Sequence, residues 1–333
     1  AVDHLQGTAH LEGWDIDDGR LREELDSLAS LPAAARPAAP QKEKIRAVAD
    51  VDDAGFRAGV DKLKGNIHAG DIYQVVPARA FTVECPNALA AYRALRETNP
   101  SPYMFYLRGA DYELFGASPE SNLKFTPEDR QVQLYPIAGT RPRGLNPDGS
   151  INHELDIRNE LDMRIDQKEI AEHTMLVDLA RNDLARVAVP RSRKVAELLH
   201  VDRYSRVMHL VSRVTATLHP DFDALDAYRA CMNMGTLTGA PKLRATELVR
   251  RTEGKRRGSY GGAVGYLRGD GAMDNCIVIR SAYVQDGTAV VQAGAGVVKD
   301  SVPQAEADET VHKAYAVLHA IAMAHGAELE VQR

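Results

Sequence analysis

The first chemical signal in this sequence comes from four glutamates. Glu169 and Glu172 stand three residues apart in IDQKEIAEHTMLVDLARNDLARV, and Glu306 and Glu309 stand three apart in PQAEADETVHKAYAVLHAIAMAH. Both runs carry helical apolar spacing, so each pair projects from one helical face. Two such faces meeting would surround one site with up to four carboxylates. An oxygen-only set suits a hard cation, and Mg²⁺ commonly takes one or two carboxylates together with waters and substrate oxygens. The implied chemistry is magnesium with an anionic substrate. Taken singly, however, an i,i+3 Glu pair is more simply a solvated helix face, and spacing alone does not bring the two helices together.

Other residues extend the set. Lys313 follows Glu309 by four residues, placed either for an ion pair with it or for a substrate carboxylate beside the metal. Gly294, Ala295 and Gly296 form a small-residue stretch whose backbone N–H groups can approach a carboxylate, although an ordinary strand-end turn has the same composition. MGTLTGAPKL puts Gly239 and Pro241 at a turn entering a helix, with Thr236 and Thr238 as hydroxyls. Lys242 falls in that helix's first turn, where a cation opposes the dipole, so it is expected to serve another purpose. Glu120 in GASPES, His209 in YSRVMHLVSRV and Arg280 in IVIRSAYV sit in or beside apolar strand patterns, where a charge is costly unless paired. No G-x-S-x-G elbow, HExxH helix or P-loop occurs, which removes support for hydrolase, zinc-protease and NTPase activities.

The elements that must position these groups read as follows. A strand-like start leads to an amphipathic helix over 18–31 and a Pro/Ala-rich linker, PAAARPAAPQKEK. Helical spacing spans 52–69 with Gly70 as its stop, and 72–82 reads as a strand. A helix near 88–98 precedes strands at 103–107, 112–116 and 131–135. The long helix 165–187 ends before Pro190, and strand material follows at 204–218. Helices at 223–234 and 241–251 precede three strands, GGAVGYLRG, NCIVIRSAYV and TAVVQAGAGVV, and a last helix spans 303–325. Strands in runs rather than strict alternation predict an α+β fold with antiparallel layers covered by helices.

The 333 residues are 44% hydrophobic and 26% charged, the mix of a globular protein with a sizeable core. A net charge of −6 from interspersed acids and bases offers no basic stripe, which argues against a nucleic-acid partner. Cys85, Cys231 and Cys276 form no CxxC pair, as expected of a reducing, cytoplasmic compartment, and no apolar run approaches the ~18 residues a membrane span needs. The start lacks an initiator Met and reads as strand material cut from a longer chain. The expected organisation is a remnant of an N-terminal region with its linker over 1–50 and a catalytic domain over 51–333.

The strings QVVPAR, NPSPYMF, GASPES, YPIAGTRPRG, KEIAEHTMLVDLARNDLARV, YSRVMHLVSRV, GTLTGAPK, RRGSYGGAVGY, DNCIVIRSA and QAGAGVVKDSVPQAEADET occur in this order from about Gly70 to the C-terminus. Together they resemble the chorismate-utilising catalytic region of the anthranilate synthase component I family. The resemblance implies an antiparallel β-sandwich flanked by helices, with the active site in a cleft. It implies Glu172 and Glu309 as direct Mg²⁺ ligands, with Glu169 and Glu306 holding its waters. Tyr260, Arg280, Lys313 and the backbone of Gly294, Ala295 and Gly296 would bind the chorismate carboxylates, with Gly139 and Thr140 lining the pocket. Glu120 would protonate the departing C4 hydroxyl while ammonia adds at C2. His209 would assist pyruvate elimination, with Thr236 alongside.

Two positions discriminate within the resemblance. Isochorismate synthases carry a lysine base where this chain has Gln74, and aminodeoxychorismate synthases typically read PIKGT where Ala138 stands here, so ammonia adding at C2 is favoured. An aminodeoxyisochorismate synthase, which stops before pyruvate loss, and a non-catalytic regulatory remnant are the alternatives. None of the three cysteines lies in a Gly-rich nucleophile turn, so a glutamine amidotransferase subunit is the implied ammonia source in a hetero-oligomer. Pro102, Tyr103, Met104 and Cys276 would form half of a tryptophan feedback site, the other half normally coming from the N-terminal segment.

Overall fold

The computed structural model describes residues 2–3, 8–9, 23, 43–204 and 207–333. Apart from Glu23, Glu43 and Lys44, the 18–31 helix and the Pro/Ala linker read from the sequence lie outside these residues. The chain divides into two compact units, Ala1–Pro37 and Ala38–Arg333. In the first, Val2–Asp3 (β1) pairs antiparallel with Thr8–Ala9 (β2).

The second unit opens with Lys44–Ala49 (β3), helix Asp53–His68 (α1), Gln74–Val75 (β4), Ala78–Glu84 (β5) and helix Ala88–Thr98 (α2). A run of strands follows: Tyr103–Arg108 (β6), Glu113–Ser118 (β7), Ser121–Thr126 (β8), Gln131–Leu134 (β9) and Ile137–Pro142 (β10). Helices His153–Ile165 (α3) and Gln167–Ala185 (α4) precede Lys194–Arg203 (β11) and Val207–Thr217 (β12). Then come helices Ala224–Cys231 (α5) and Gly235–Thr238 (α6), Gly239–Ala240 (β13) and helix Lys242–Glu253 (α7). The chain finishes with Ala263–Leu267 (β14), Met273–Ile277 (β15), Ser281–Gln285 (β16), Thr288–Gly294 (β17), helix Pro303–His325 (α8) and Glu328–Gln332 (β18).

Local chemistry sets these boundaries. Asp52 caps α1 by accepting from the Gly55 N–H at 2.7 Å, and Asn87 caps α2 from Ala90 at 3.0 Å. Asp223 and Asp226 close a reciprocal capping box on α5. Pro303 enters the first turn of α8, and Gly326 ends it in the left-handed conformation that a side chain would strain.

Two seven-stranded sheets organise the unit. One runs β18-β3-β5-β17-β16-β7-β6; the other runs β10-β12-β9-β8-β15-β14, with β11 also on β12. Among the described residues every pairing in these sheets is antiparallel except β18 with β3. Helices α2 and α8 cover the first sheet through Phe81, Phe115, Val291, Leu95 and Leu318, all fully buried. Helices α4 and α5 bury the second against Leu123, Leu134, Val214 and Leu184. Each such side chain contributes about 1.5–3 kcal/mol of apolar burial. The α+β architecture of antiparallel sheets with flanking helices is therefore as the sequence predicts.

The differences have physical causes. Residues 44–49, assigned from sequence to the N-terminal remnant, are β3 and pair with both β5 and β18. The 72–82 strand is broken at Val76–Pro77, where proline removes a ladder donor. NCIVIRSAYV is two strands in different sheets: β15 pairs with β8 and β16 with β7, so 278–280 must cross between them. Arg280, at φ 49°, makes the turn. Helix α3 has no apolar face turned to a core: its buried residues are Asp156 and Met163, while Ile157, Leu161 and Ile165 are 57%, 54% and 68% exposed, so the burial pattern that marks the other helices is missing. Among the described residues no helix is long and apolar enough to cross a membrane.

Candidate active site

A cavity of about 650 Å³ gathers residues from both sheets and from α4 and α8. Its wall includes Glu169 and Glu172 from α4 and Glu306, Glu309 and Lys313 from α8, so the two acid faces that spacing could not bring together do meet. Gln74, Glu120, Gly139, Thr140, His209, Thr236, Tyr260, Arg280, Gly294 and Gly296 complete the candidate set.

Glu120 follows β7 at its cavity end and is 8% exposed. Burial pushes its carboxyl up to about 7, against the opposing pull of the Thr236 hydroxyl and the cations Lys313 and Arg280. A carboxylic acid still protonated near neutrality can deliver a proton to a leaving oxygen. The Thr236 hydroxyl is buried beside that carboxyl. His209 joins Nδ1 to Thr140 Oγ1 at 2.9 Å, across the β10–β12 ladder, and burial holds its pKa below the ordinary imidazole value. The ring therefore stays neutral and able to take a proton.

Arg280 is enclosed, and burial lowers its pKa despite Tyr260, Glu120 and Glu309 nearby. Burial likewise raises the Tyr260 phenol. Lys313 donates to the Gly294 carbonyl at 3.1 Å and pairs with Glu309, so the ion pair expected from the sequence forms while the ammonium still faces the cavity. Glu169 is held by Arg141 at 2.9 Å. Gln74 is 8% exposed, and its Oε1 is buried with no protein partner.

The small-residue stretch behaves differently at each position. The Ala295 N–H donates to the Pro77 carbonyl at 3.1 Å, so that amide is withdrawn from any ligand, and Ala295 is fully buried. Gly294 and Gly296 face the cavity. A Cβ at Gly296 would lie 2.9 Å from Gln74 Nε2, so any larger residue there would push the Gln74 amide aside. Of the three amides, that leaves Gly294, which lies against the Tyr260 hydroxyl, and Gly296.

The sequence-derived inhibitor residues divide as well. Tyr103 donates to Asp274 at 3.1 Å, near Cys276, while Met104, on the other face of β6, packs toward the α2–α8 core. Pro102 lines a smaller cavity that shares Thr140, His209 and Arg280 with the main one.

The donor chemistry fits a hard cation that retains water. Four carboxylates face one cavity, while among the described residues no three ligating side chains converge into a closed cage.

Residues 2–319 match the sequence profile of the chorismate binding enzymes. The chain belongs to this family. It is 60% identical over 297 residues to anthranilate synthase component 1 of Salmonella typhimurium, covering 89% of this chain and 57% of that protein. To the Escherichia coli protein of the same name it is 58% identical over 334 residues, 98% of this chain and 64% of the relative. The chain thus spans roughly three fifths of these relatives' length. Among solved structures, anthranilate synthase component I of Streptococcus pneumoniae superposes with a TM-score of 0.82 at 34% identity, over 95% of this chain and 70% of that one.

Sequence reasoning missed one residue that lines this cavity and one that supports it from behind. His312 lines it one position before Lys313, and its helical register beside Glu309 was the available signal. Arg257, within RRGSYGG, donates to the carbonyls of Leu237 and Val76 at 2.6 Å each and to Glu253 at 2.6 Å. It thereby ties together three segments behind Tyr260, whose ring lies 5.4 Å away. Lys242 has its other purpose in a salt bridge to Asp183 at 2.7 Å, and neither residue lines the cavity.

Proposed function

We propose that this chain is the catalytic part of an anthranilate synthase component I, converting chorismate and ammonia to anthranilate and pyruvate. The observation that carries the proposal is Glu120: a buried acid protonated near neutrality, with Arg280 and Lys313 in the same cavity to receive the carboxylates of a dianionic substrate. In this reading Arg280 and Tyr260 hold one substrate carboxylate, and Lys313 with the Gly294 and Gly296 amides holds the other. Glu120 gives its proton to the departing C4 hydroxyl as ammonia adds at C2. Gln74 flanks the nucleophile's approach with an amide, which cannot deprotonate water, and Ala138 leaves no amine to attack C4. His209, neutral and bonded to Thr140, takes part in the elimination that releases pyruvate and makes the ring aromatic.

Magnesium, held by Glu172 and Glu309 with Glu169 and Glu306 on its waters, would neutralise substrate carboxylate charge. The ammonia would come from a glutamine amidotransferase subunit in a cytoplasmic hetero-oligomer, with tryptophan inhibition acting through Tyr103 and Cys276. The test is an assay with chorismate, MgCl₂ and an ammonium salt. Growth of anthranilate fluorescence, abolished by EDTA, is expected. Accumulation of a non-aromatic amino diene would instead identify an aminodeoxyisochorismate synthase, and unconsumed chorismate would overturn the proposal.

A further inference from the structure

Two irregularities meet at one point of the second sheet. Between Ile137 and Thr140, β10 has one more residue than its partner β12, so Ala138 and Gly139 bulge out of the ladder, with Gly139 at φ 87°. Between Glu197 and His200, β11 likewise gains one residue over β12, and Leu199 is forced to φ 55°. A non-glycine residue there is strained and persists only where its surroundings hold it. Bulges beside sites re-aim backbone and side chains, and here the first one supplies Gly139 and Thr140 to the cavity.

Both bulges are held by His173, fully buried on α4 one turn after Glu169. Its Nδ1 lies 3.2 Å from the Ala138 carbonyl and its Nε2 2.6 Å from Ser212 Oγ. Ser212 Oγ in turn accepts the Leu199 N–H at 3.0 Å. A carbonyl accepts only, so Nδ1 must carry the hydrogen; Nε2 is then the acceptor, and the serine hydroxyl donates to it. Every donor and acceptor in the chain Leu199–Ser212–His173–Ala138 is satisfied in one direction.

We infer that His173, with Ser212, is a positioning pair that fixes the bulged β10 wall of the cavity, tied through Leu199 to the bulge in β11, against the acid-bearing face of α4. It touches no substrate; it sets where Gly139 and Thr140 stand relative to Glu169, whose Oε2 lies 3.4 Å from where a Gly139 Cβ would be. This role rests on the reaction proposed above, but the hydrogen-bond geometry is testable without it.

Heteronuclear spectra of the ¹⁵N-labelled full chain should show a neutral His173 protonated at Nδ1; a neutral ring protonated at Nε2 would overturn the assignment whatever the enzyme's activity. His173→Asn places an amide donor near the Nδ1 position, whereas His173→Phe fills the space without one. The Asn variant should keep the Gly139 and Thr140 amide resonances near their native positions and retain kcat/KM for chorismate to within about threefold. The Phe variant should shift both resonances and lose about ten- to a hundredfold, the scale of one unmet buried hydrogen bond. If the Phe variant does not fold, Ser212→Ala, which removes only the hydroxyl, should still move the same two amides. Equal behaviour of the Asn and Phe variants, or unmoved amides in Ser212→Ala, would sink the positioning role. Wild type that leaves chorismate untouched while keeping the Nδ1 tautomer would sink the functional reading alone.

Discussion

Glu120 shows most plainly how one environment serves chemistry at a cost in stability. Its folded pKa of about 7 lies above the ordinary 4.5, so the folded state binds the proton more tightly than the unfolded chain. Stability from this group is complete below about pH 4.5 and is lost as pH rises through about 7, by roughly 1.4 kcal/mol for each pH step between the two. Glu120→Gln should therefore flatten the pH dependence of the urea midpoint between about pH 5 and 8 and raise it most at the alkaline end. The same variant should lose about 10²–10⁴-fold in kcat/KM, the usual worth of a positioned acid. In wild type, activity that needs this proton should fall above about pH 7. His209 belongs to the other half of the proposed reaction, so His209→Met should leave chorismate consumption largely intact. It should slow elimination by about 10²–10⁴-fold. Mass spectrometry should then find an aminated species that retains the enolpyruvyl group; anthranilate at the parent rate would reduce His209 to a core histidine.

At the scale of elements, the cavity depends on joints rather than on the interiors of strands and helices. Arg257 bridges α7 through Glu253, α6 through Leu237 and the β4–β5 break through Val76. Glu253, with its side chain only 4% exposed, also accepts the Ala78 N–H at 2.8 Å. Arg257→Gln would strand that carboxylate, and breaking a buried pair from one side costs about 3–5 kcal/mol. Urea unfolding should show a loss of that size, partly recovered in the double variant Arg257→Gln with Glu253→Gln, where no buried charge is left alone. Additive losses in the double variant would show that the two side chains act separately.

For the whole molecule, the state of the cysteines bears on the nitrogen source. The described residues carry no sequence feature for releasing ammonia from glutamine, and the free cysteines are buried with thiols pushed up to about 11 or 12. Such thiols are poor nucleophiles at neutral pH. On the proposed function, the chain should form anthranilate with ammonium salts but not with glutamine, and adding an amidotransferase subunit should confer the glutamine reaction. Anthranilate from glutamine with this chain alone would contradict that division of labour. Measured initial rates with each nitrogen source decide between them.

What is legible in the sequence follows from range. Helix α8 can be read at its observed ends because Pro303, Gly326 and the apolar spacing are local signals, and α1 likewise from Asp52 and Gly70. The i,i+3 acid pairs are legible for the same reason, since both members of each pair share one helix. What spacing does not encode is which surfaces meet. Only the tertiary structure brings α4 to α8 around one cavity, divides NCIVIRSAYV between two sheets and turns Arg280 inward at the crossing. It also withdraws the Ala295 amide, because the acceptor at Pro77 lies more than two hundred residues earlier in the chain. The elevated pKa of Glu120 has the same origin: residue type gives an acid near 4.5, and only burial among distant segments makes it a proton donor near 7.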